Sequence, residues 1–297
     1  MKTHVATVTA LFGGLLLPIQ GASQAPTHEP MRVDQIDWVD PPTDLPSRVA
    51  HYTFHSSSMD LEVGYSIYLP PGYEELERNY PVVYWLHGRS GSESDTRPAQ
   101  VLHEAIQSGG VQPMVLVLAN GGTGSGYIDN PDTGVMGESV VIEELIPHIE
   151  SNYRVIRDRS GRGFSGFSMG GSGAIRLSLR HPRMFSSVVS VAGVLVGYRE
   201  IMERNFVADA ALARSHDPYP LAVEVEARLR SMNVKLIVGS EDQWITTNRR
   251  FAAHLGHLNL TIDYKEIRGI DHNLSDYLAA AGHELFAFHS THLESDG

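Results

Sequence analysis

The chain has no cysteine among its 297 residues. That absence excludes disulfides, thiolate nucleophiles and cysteine-ligated metal together. Clustered basic residues are missing too. The formal charge is −12 and no run of Lys or Arg stands out, so neither a nucleic-acid nor an anionic-membrane surface is expected. Residues 50–293 hold no internal repeat, low-complexity tract or linker, which favours one domain. What is present is ample apolar material: 42% of residues are hydrophobic and only 20% charged, enough to bury a substantial core.

The first residues read differently from the rest. Lys2 precedes the apolar "VATVTALFGGLLLPIQ", then the small residues "GAS" and the polar "QAPTHEP". One positive charge, a short apolar stretch and small residues before a cut site are the pattern of a secretory signal peptide, with cleavage expected near Ser23–Gln24. The apolar part is too short, and too broken by Gly13, Gly14 and Pro18, for a membrane span. The expected organisation is a signal peptide over 1–23, an extended proline-containing segment over 24–48, and a single domain over 49–297. A secreted or periplasmic location suits an exported, disulfide-free protein.

Past residue 48, strand-like and helix-like segments alternate. "HYTFHS" and "VGYSIYLP" alternate as antiparallel strands do. "VVYWLHG", "MVLVLANG", "GRGFSGFS", "SSVVSVAG" and "VKLIVGSED" are the near-continuous apolar runs of strands buried on both faces. Helical patterns cover 138–153, 168–182, 248–258 and 274–293. The fold class is therefore α/β, with a mainly parallel central sheet of about eight strands and helices on both faces. Residues 195–232 are too long for a simple connection and are expected to form an excursion near one edge of the sheet.

Gly166-Phe167-Ser168-Met169-Gly170 fits Gly-x-Ser-x-Gly at a strand-to-helix junction. Such a turn is strained and holds the serine hydroxyl clear of the sheet, with a helix N-terminus behind it to favour negative charge. Ser168 is thus a candidate nucleophile, and a serine near neutral pH needs a histidine base oriented by a carboxylate. Asp242 ends the strand in "VKLIVGSEDQW", and His272 follows the next strand directly before the last helix. The two loops fall side by side at the edge where such sheets collect functional groups. Glu241 is the competing acid. Of the oxyanion donors, Met169 N–H lies at the helix start, and the Arg89 N–H in "YWLHGRSG" is the expected second, with Gly88 permitting the turn. His87 reads as a buried structural imidazole behind that loop. His254 and His257 are expected at the surface, since no acidic partner sits at a metal-binding spacing. His283 and His289 form no His-Glu-x-x-His. Asp271 and Asp276 are expected to cap the last helix or face water, and "GGTGSG" (121–126) reads as a flexible loop. No metal or other cofactor enters this scheme.

Six ordered motifs, "VGYSIYLPPGYE", "YPVVYWLHGRSGSESD", "LIPHIESNYRV", "GFSMGGSGAIRLSLRHP", "GSEDQW" and "DHNL", resemble the esterase D-like, feruloyl esterase-like branch of the α/β-hydrolases over residues 50–292. That branch includes acetylxylan esterases, S-formylglutathione hydrolases and mycolyltransferases. The resemblance implies a serine esterase in which Ser168 is the nucleophile, Asp242 the acid and His272 the base, with backbone donors from Arg89 and Met169. The implied partner is a small-molecule or polysaccharide-linked ester of feruloyl or acetyl type. An acyltransferase on the same scaffold stays open, while the export signal argues against an intracellular thioesterase role. Two departures bear on substrate. Leu274 lies where relatives that cleave aromatic acyl esters carry an aromatic residue, and Arg89 replaces a small apolar one. Tyr127, Leu195 and Trp244 are the candidate pocket walls, each equally able to be core.

Overall fold

The structure, a computed structural model, describes residues 29–204 and 206–295. The signal peptide expected over 1–23 lies outside the described residues. In chain order the strands are Val49–Ser56 (β1), Leu61–Tyr68 (β2), Val82–Leu86 (β3), Val115–Ala119 (β4), Asp129–Asn130 (β5), Val135–Met136 (β6), Arg162–Phe167 (β7), Ser187–Val191 (β8), Asn233–Gly239 (β9) and Asp263–Ile267 (β10). Eight of them build one sheet in the order β1-β2-β4-β3-β7-β8-β9-β10, while β5 and β6 pair with each other. Pairing is parallel from β4 to β10 and antiparallel at β1 and β2. This is the α/β-hydrolase architecture expected from the sequence.

The sequence of each strand matches its position. β3, β4 and β8 lie inside the sheet and are buried at every residue. β10, at the far edge, reads "DYKEI" and is only partly covered, its charges facing water. Period-two alternation sorts the central side chains to two faces. Val83 and Trp85 of β3 join Leu116 and Leu118 of β4 in one cluster, whereas Val82, Tyr84 and Leu86 join Val115 and Val117 in the other.

The helices are Arg97–Gln107 (α1), Gly137–Ser139 (α2), Ile146–Asn152 (α3), Met169–Arg180 (α4), Tyr198–Glu203 (α5), Ala210–Ser215 (α6), Pro218–Glu224 (α7), Glu226–Leu229 (α8), Ile245–His257 (α9) and Leu274–His292 (α10). α1 and α10 cover the Trp85 face; α3, α4 and α9 cover the Tyr84 face. The helix expected over 138–153 contains a widened π turn, Val140–Leu145, between α2 and α3. Pro147, in the first turn of α3, has no N–H to give the Glu143 carbonyl, so the regular ladder is interrupted at this point. α1 escaped the sequence reading because its buried stripe is largely Pro98, Ala99 and Ala105, with only Leu102 strongly apolar. Residues 195–232 hold α5 to α8, and Ile201, Ala213 and Ala222 of these helices, with Phe206 of the α5–α6 connection, enter the Tyr84-face core.

α4 packs backbone to backbone against β3. A Cβ added at Gly170 would sit 2.0 Å from the Leu86 carbonyl oxygen, whereas one at Gly256, exposed on α9, meets nothing within 4 Å. Gly170→Ala is therefore expected to destabilise the protein by about 1–3 kcal/mol, the usual range for overpacking, or more because the obstacle is backbone. Gly256→Ala should be neutral or stabilising by up to ~1 kcal/mol, from helix propensity. Urea unfolding of the two variants checks the contrast, and equal effects would contradict it.

Candidate active site

Ser168 sits between β7 and α4 with φ 56° and ψ −114°, a left-handed backbone that a non-glycine residue rarely adopts. Its surroundings hold it there. The Ser168 N–H donates to the Val191 carbonyl (2.9 Å), and its own carbonyl accepts from Ser172 N–H (3.0 Å). A Cβ at Gly166 would fall 2.4 Å from the Gly170 carbonyl carbon. Both flanking glycines are thus required by contact, and Ser168 as a residue is left 8% exposed at the sheet's C-terminal edge.

Two loops meet that hydroxyl. His272 Nε2 lies 2.8 Å from Ser168 Oγ, and His272 Nδ1 lies 2.8 Å from Asp242 Oδ2. The loops after β9 and β10 are neighbours because those strands pair, which is the juxtaposition expected from the sequence. Glu241 is exposed and touches neither group; its N–H donates to the Ile270 carbonyl (3.1 Å). Asp242 is only 2% exposed. Burial pushes its carboxyl pKa upward, but hydrogen bonds from His272, the Trp244 N–H and the Tyr277 hydroxyl outweigh that and hold it below its ordinary value. The group therefore stays ionised through neutral pH, where it can orient an imidazole and stabilise its charged form.

Two residues in this set were not foreseen. The Tyr277 hydroxyl donates to Asp242 Oδ2 (2.8 Å) and accepts from the Gly239 N–H (2.6 Å). Phe167 stacks on the His272 ring, centroids 4.8 Å apart. A signal existed for the first, since Tyr277 lies in the first turn of the helix that His272 precedes. Asn273 caps that helix through Ser275 N–H (2.9 Å), while Asp271 and Asp276, expected to cap it or to face water, face water.

The loop after β3 forms the opposite wall. The Gly91 N–H donates to the Gly88 carbonyl (3.0 Å), closing a turn whose first central residue is Arg89. That turn does not use the Arg89 N–H. Met169 opens α4, where the first N–H groups have no intrahelical acceptor. His87 braces the turn from below: Nδ1 bonds the Gly88 carbonyl (2.7 Å) and Nε2 accepts from Gly121 N–H (3.2 Å). "GGTGSG" is not a flexible loop. It is largely buried, and the Gly124 N–H donates to the Arg89 carbonyl (3.0 Å). The segment before β1 is also stitched to this wall. Asp40 Oδ2 accepts from Ser92 (2.5 Å) and Ser94 (2.9 Å), and the Asp40 N–H donates to the buried Glu93 (2.7 Å).

The pocket candidates separate. Tyr127 is fully buried, with its ring under Gly121 and Gly173 and its hydroxyl donating to the His87 carbonyl (3.0 Å), so it is a brace and not a wall. Leu195 is also fully buried in the Tyr84-face core. Trp244 alone of the three reaches the site: it is half-buried and its ring lies edge-on to His272 at 6.5 Å. Leu274 is turned into the Trp85-face core. His254 bonds the Tyr219 carbonyl (2.9 Å) and His257 is exposed, while His289 is buried against Ser165 Oγ (2.5 Å). Among the described residues no group of three or more His, Asp or Glu is arranged to hold a metal, and no helix is long and apolar enough to cross a membrane.

The Esterase family model matches residues 56–292, and the chain belongs to that family. An esterase of Mycobacterium tuberculosis is 33% identical over 150 residues, 49% of this chain and 32% of that protein. An endo-1,4-beta-xylanase/feruloyl esterase of Xylanibacter ruminicola is 32% identical over 148 residues, 46% of this chain and 20% of that protein. The chain thus matches a third or less of the length of these relatives. A solved ferulic acid esterase superposes with a TM-score of 0.72 at 26% identity, covering 82% of this chain and 98% of that one. An S-formylglutathione hydrolase from Agrobacterium tumefaciens shares the fold at a TM-score of 0.68 and 19% identity, covering 83% and 95%.

Burial holds the His87 imidazole down at about 4, from an ordinary 6.5. The unfolded chain takes up this proton below about pH 6.5, and the folded chain only near 4. Stability from this residue is therefore complete above 6.5 and lost as pH falls towards 4. Going from neutral to about pH 5 should remove about 2 kcal/mol through His87. Urea unfolding at both pH values should show a smaller loss in His87→Asn than in the wild type, and an unchanged loss would contradict the assignment.

Proposed function

We propose that the protein is an exported serine carboxylic-ester hydrolase that works through an acyl-enzyme on esters of small or aromatic acids, feruloyl or acetyl in type and in part carbohydrate-linked. The observation that carries the reading is the hydrogen-bonded chain from Ser168 Oγ through His272 to Asp242, built on a left-handed turn. Membership of the esterase family supports the reaction class, and the feruloyl esterase named among the relatives supports the acyl class. Export rests on the N-terminal sequence pattern.

In this mechanism His272 Nε2 takes the Ser168 proton as Oγ attacks the ester carbonyl. The carbonyl oxygen becomes an oxyanion, held by the Arg89 and Met169 N–H groups and favoured by the N-terminus of α4. Collapse of the tetrahedral species breaks the bond to the alcohol, which takes the proton from His272 and leaves. Water then repeats the sequence on the acyl-Ser168 ester, releasing the acid and restoring the hydroxyl. Asp242 remains ionised throughout and orients the imidazole, with Tyr277 fixing the carboxylate in turn.

Ser168→Ala should lower turnover of a short-chain aryl ester by more than about a hundredfold with the fold intact, since losing a triad member typically costs far more than that. A variant retaining more activity would remove Ser168 from the role of nucleophile. Asp242→Asn should lower the rate by orders of magnitude and Glu241→Gln only mildly; the reverse ranking would move the acid to Glu241. A strong chelator should leave the rate unchanged, and loss restored by added zinc or calcium would contradict the mechanism.

A further inference from the structure

Several arginines of this protein are neutralised by carboxylates. Arg162 pairs with Glu150, Arg180 with Glu138, Arg249 with Glu266 and Arg250 with Glu200. Two beside the candidate active site do not. Arg89, on the oxyanion turn, is exposed; its Nη2 donates to the Arg204 carbonyl (3.2 Å) and its guanidinium lies over the Phe206 ring at 5.1 Å. Arg204 lies over the Trp244 ring at 4.1 Å, and that ring is 6.5 Å from the His272 imidazole. Its Nε is buried without a hydrogen-bond partner.

Glu200 and Glu203 act on Arg204 through space but form no ion pair with it. Glu200 is occupied by Arg250 and by the Gly197 N–H, and Glu203 is exposed to solvent. Burial, and then the repulsion of Arg89, push the Arg204 guanidinium below its ordinary pKa against the opposing attraction of Glu200 and Glu203. In a chain of net charge −12, Arg89 and Arg204 are two adjacent cations without an ion-pair partner beside the candidate active site, a chemistry suited to receiving an anion. Arg89 uses one donor on the Arg204 carbonyl, which leaves the rest of its fork available.

We propose that the substrate is an ester bearing a carboxylate near its scissile bond, on either the acyl or the alcohol portion, and that Arg89 and Arg204 receive that carboxylate. This rests on the esterase reading and specifies its substrate. Trp244 supplies an apolar surface between the guanidinium and His272, so the carbon skeleton joining carboxylate to ester would lie along its ring.

Two pairs of substrates test it, each rate being divided by that of hydroxide alone. On the acyl side, para-nitrophenyl hydrogen adipate is compared with para-nitrophenyl hexanoate. On the alcohol side, para-acetoxybenzoate is compared with its neutral methyl ester. In at least one pair the wild type should prefer the anion by about tenfold in kcat/KM, the scale of one charge-assisted hydrogen bond. The preference should shrink in about 1 M sodium chloride, where the Debye length falls to about 3 Å. The ratio of the two rates is what is read, so a general loss of activity or fold in a variant does not imitate the effect. That ratio should fall towards one in Arg204→Gln and be partly kept in Arg204→Lys. No anionic preference in either pair, or a ratio unchanged in both Arg204→Gln and Arg89→Gln, overturns the proposal while leaving the esterase reading standing. No turnover of any of the four esters overturns both.

Discussion

The left-handed backbone at Ser168 is the constraint around which the rest is arranged. A residue with a side chain is strained there, and it persists only if its surroundings leave no alternative. Here they do not. The Leu86 carbonyl approaches Gly170 so closely that no side chain fits, Gly166 abuts the Gly170 backbone, and the Ser168 N–H is tied to Val191. Three parallel strands, β3, β7 and β8, thereby fix one hydroxyl. The glycines serve contact, and the serine carries the strain.

Electrostatics then divides the work between buried and accessible groups. Asp242 is buried but receives three donors, which outweigh the upward push of burial and hold its carboxyl below the ordinary value. His87 and His289 are buried with neutral partners and are driven to about 4 and about 3, so neither takes up a proton near neutral pH. His272 alone among these is placed between a carboxylate and a hydroxyl and is part-exposed, the placement that the proposed general base requires. The loop after β3 is supported from three sides: by His87, by the packed 121–126 loop, and by Asp40 of the segment before β1.

Much of this was legible because it rests on local patterns. Apolar runs gave the central strands, and glycine spacing marked the turn at Ser168. Position after successive strands brought Asp242 and His272 to one edge. What was not legible depends on side-chain direction in three dimensions. Tyr127 and Leu195 could be pocket wall or core from sequence alone; they are core, a left-handed backbone at Tyr127 turning its ring inward against two glycines. Tyr277 and Phe167 are ordinary aromatic residues in sequence and acquire meaning only from the groups they touch. The 121–126 loop has the composition of a mobile segment, but its glycines are there to admit Tyr127, Trp38 and Phe206 at close range.

The central claim is that Ser168 becomes covalently acylated during turnover. The most direct measurement is acid-quenched mass spectrometry of the protein after brief exposure to a slowly hydrolysed aryl ester, followed by peptide mapping. The account predicts one acyl group per chain on the peptide carrying Ser168, appearing before steady-state release of acid and absent when His272 is replaced by alanine. Turnover with no adduct, or an adduct on a different peptide, would contradict it.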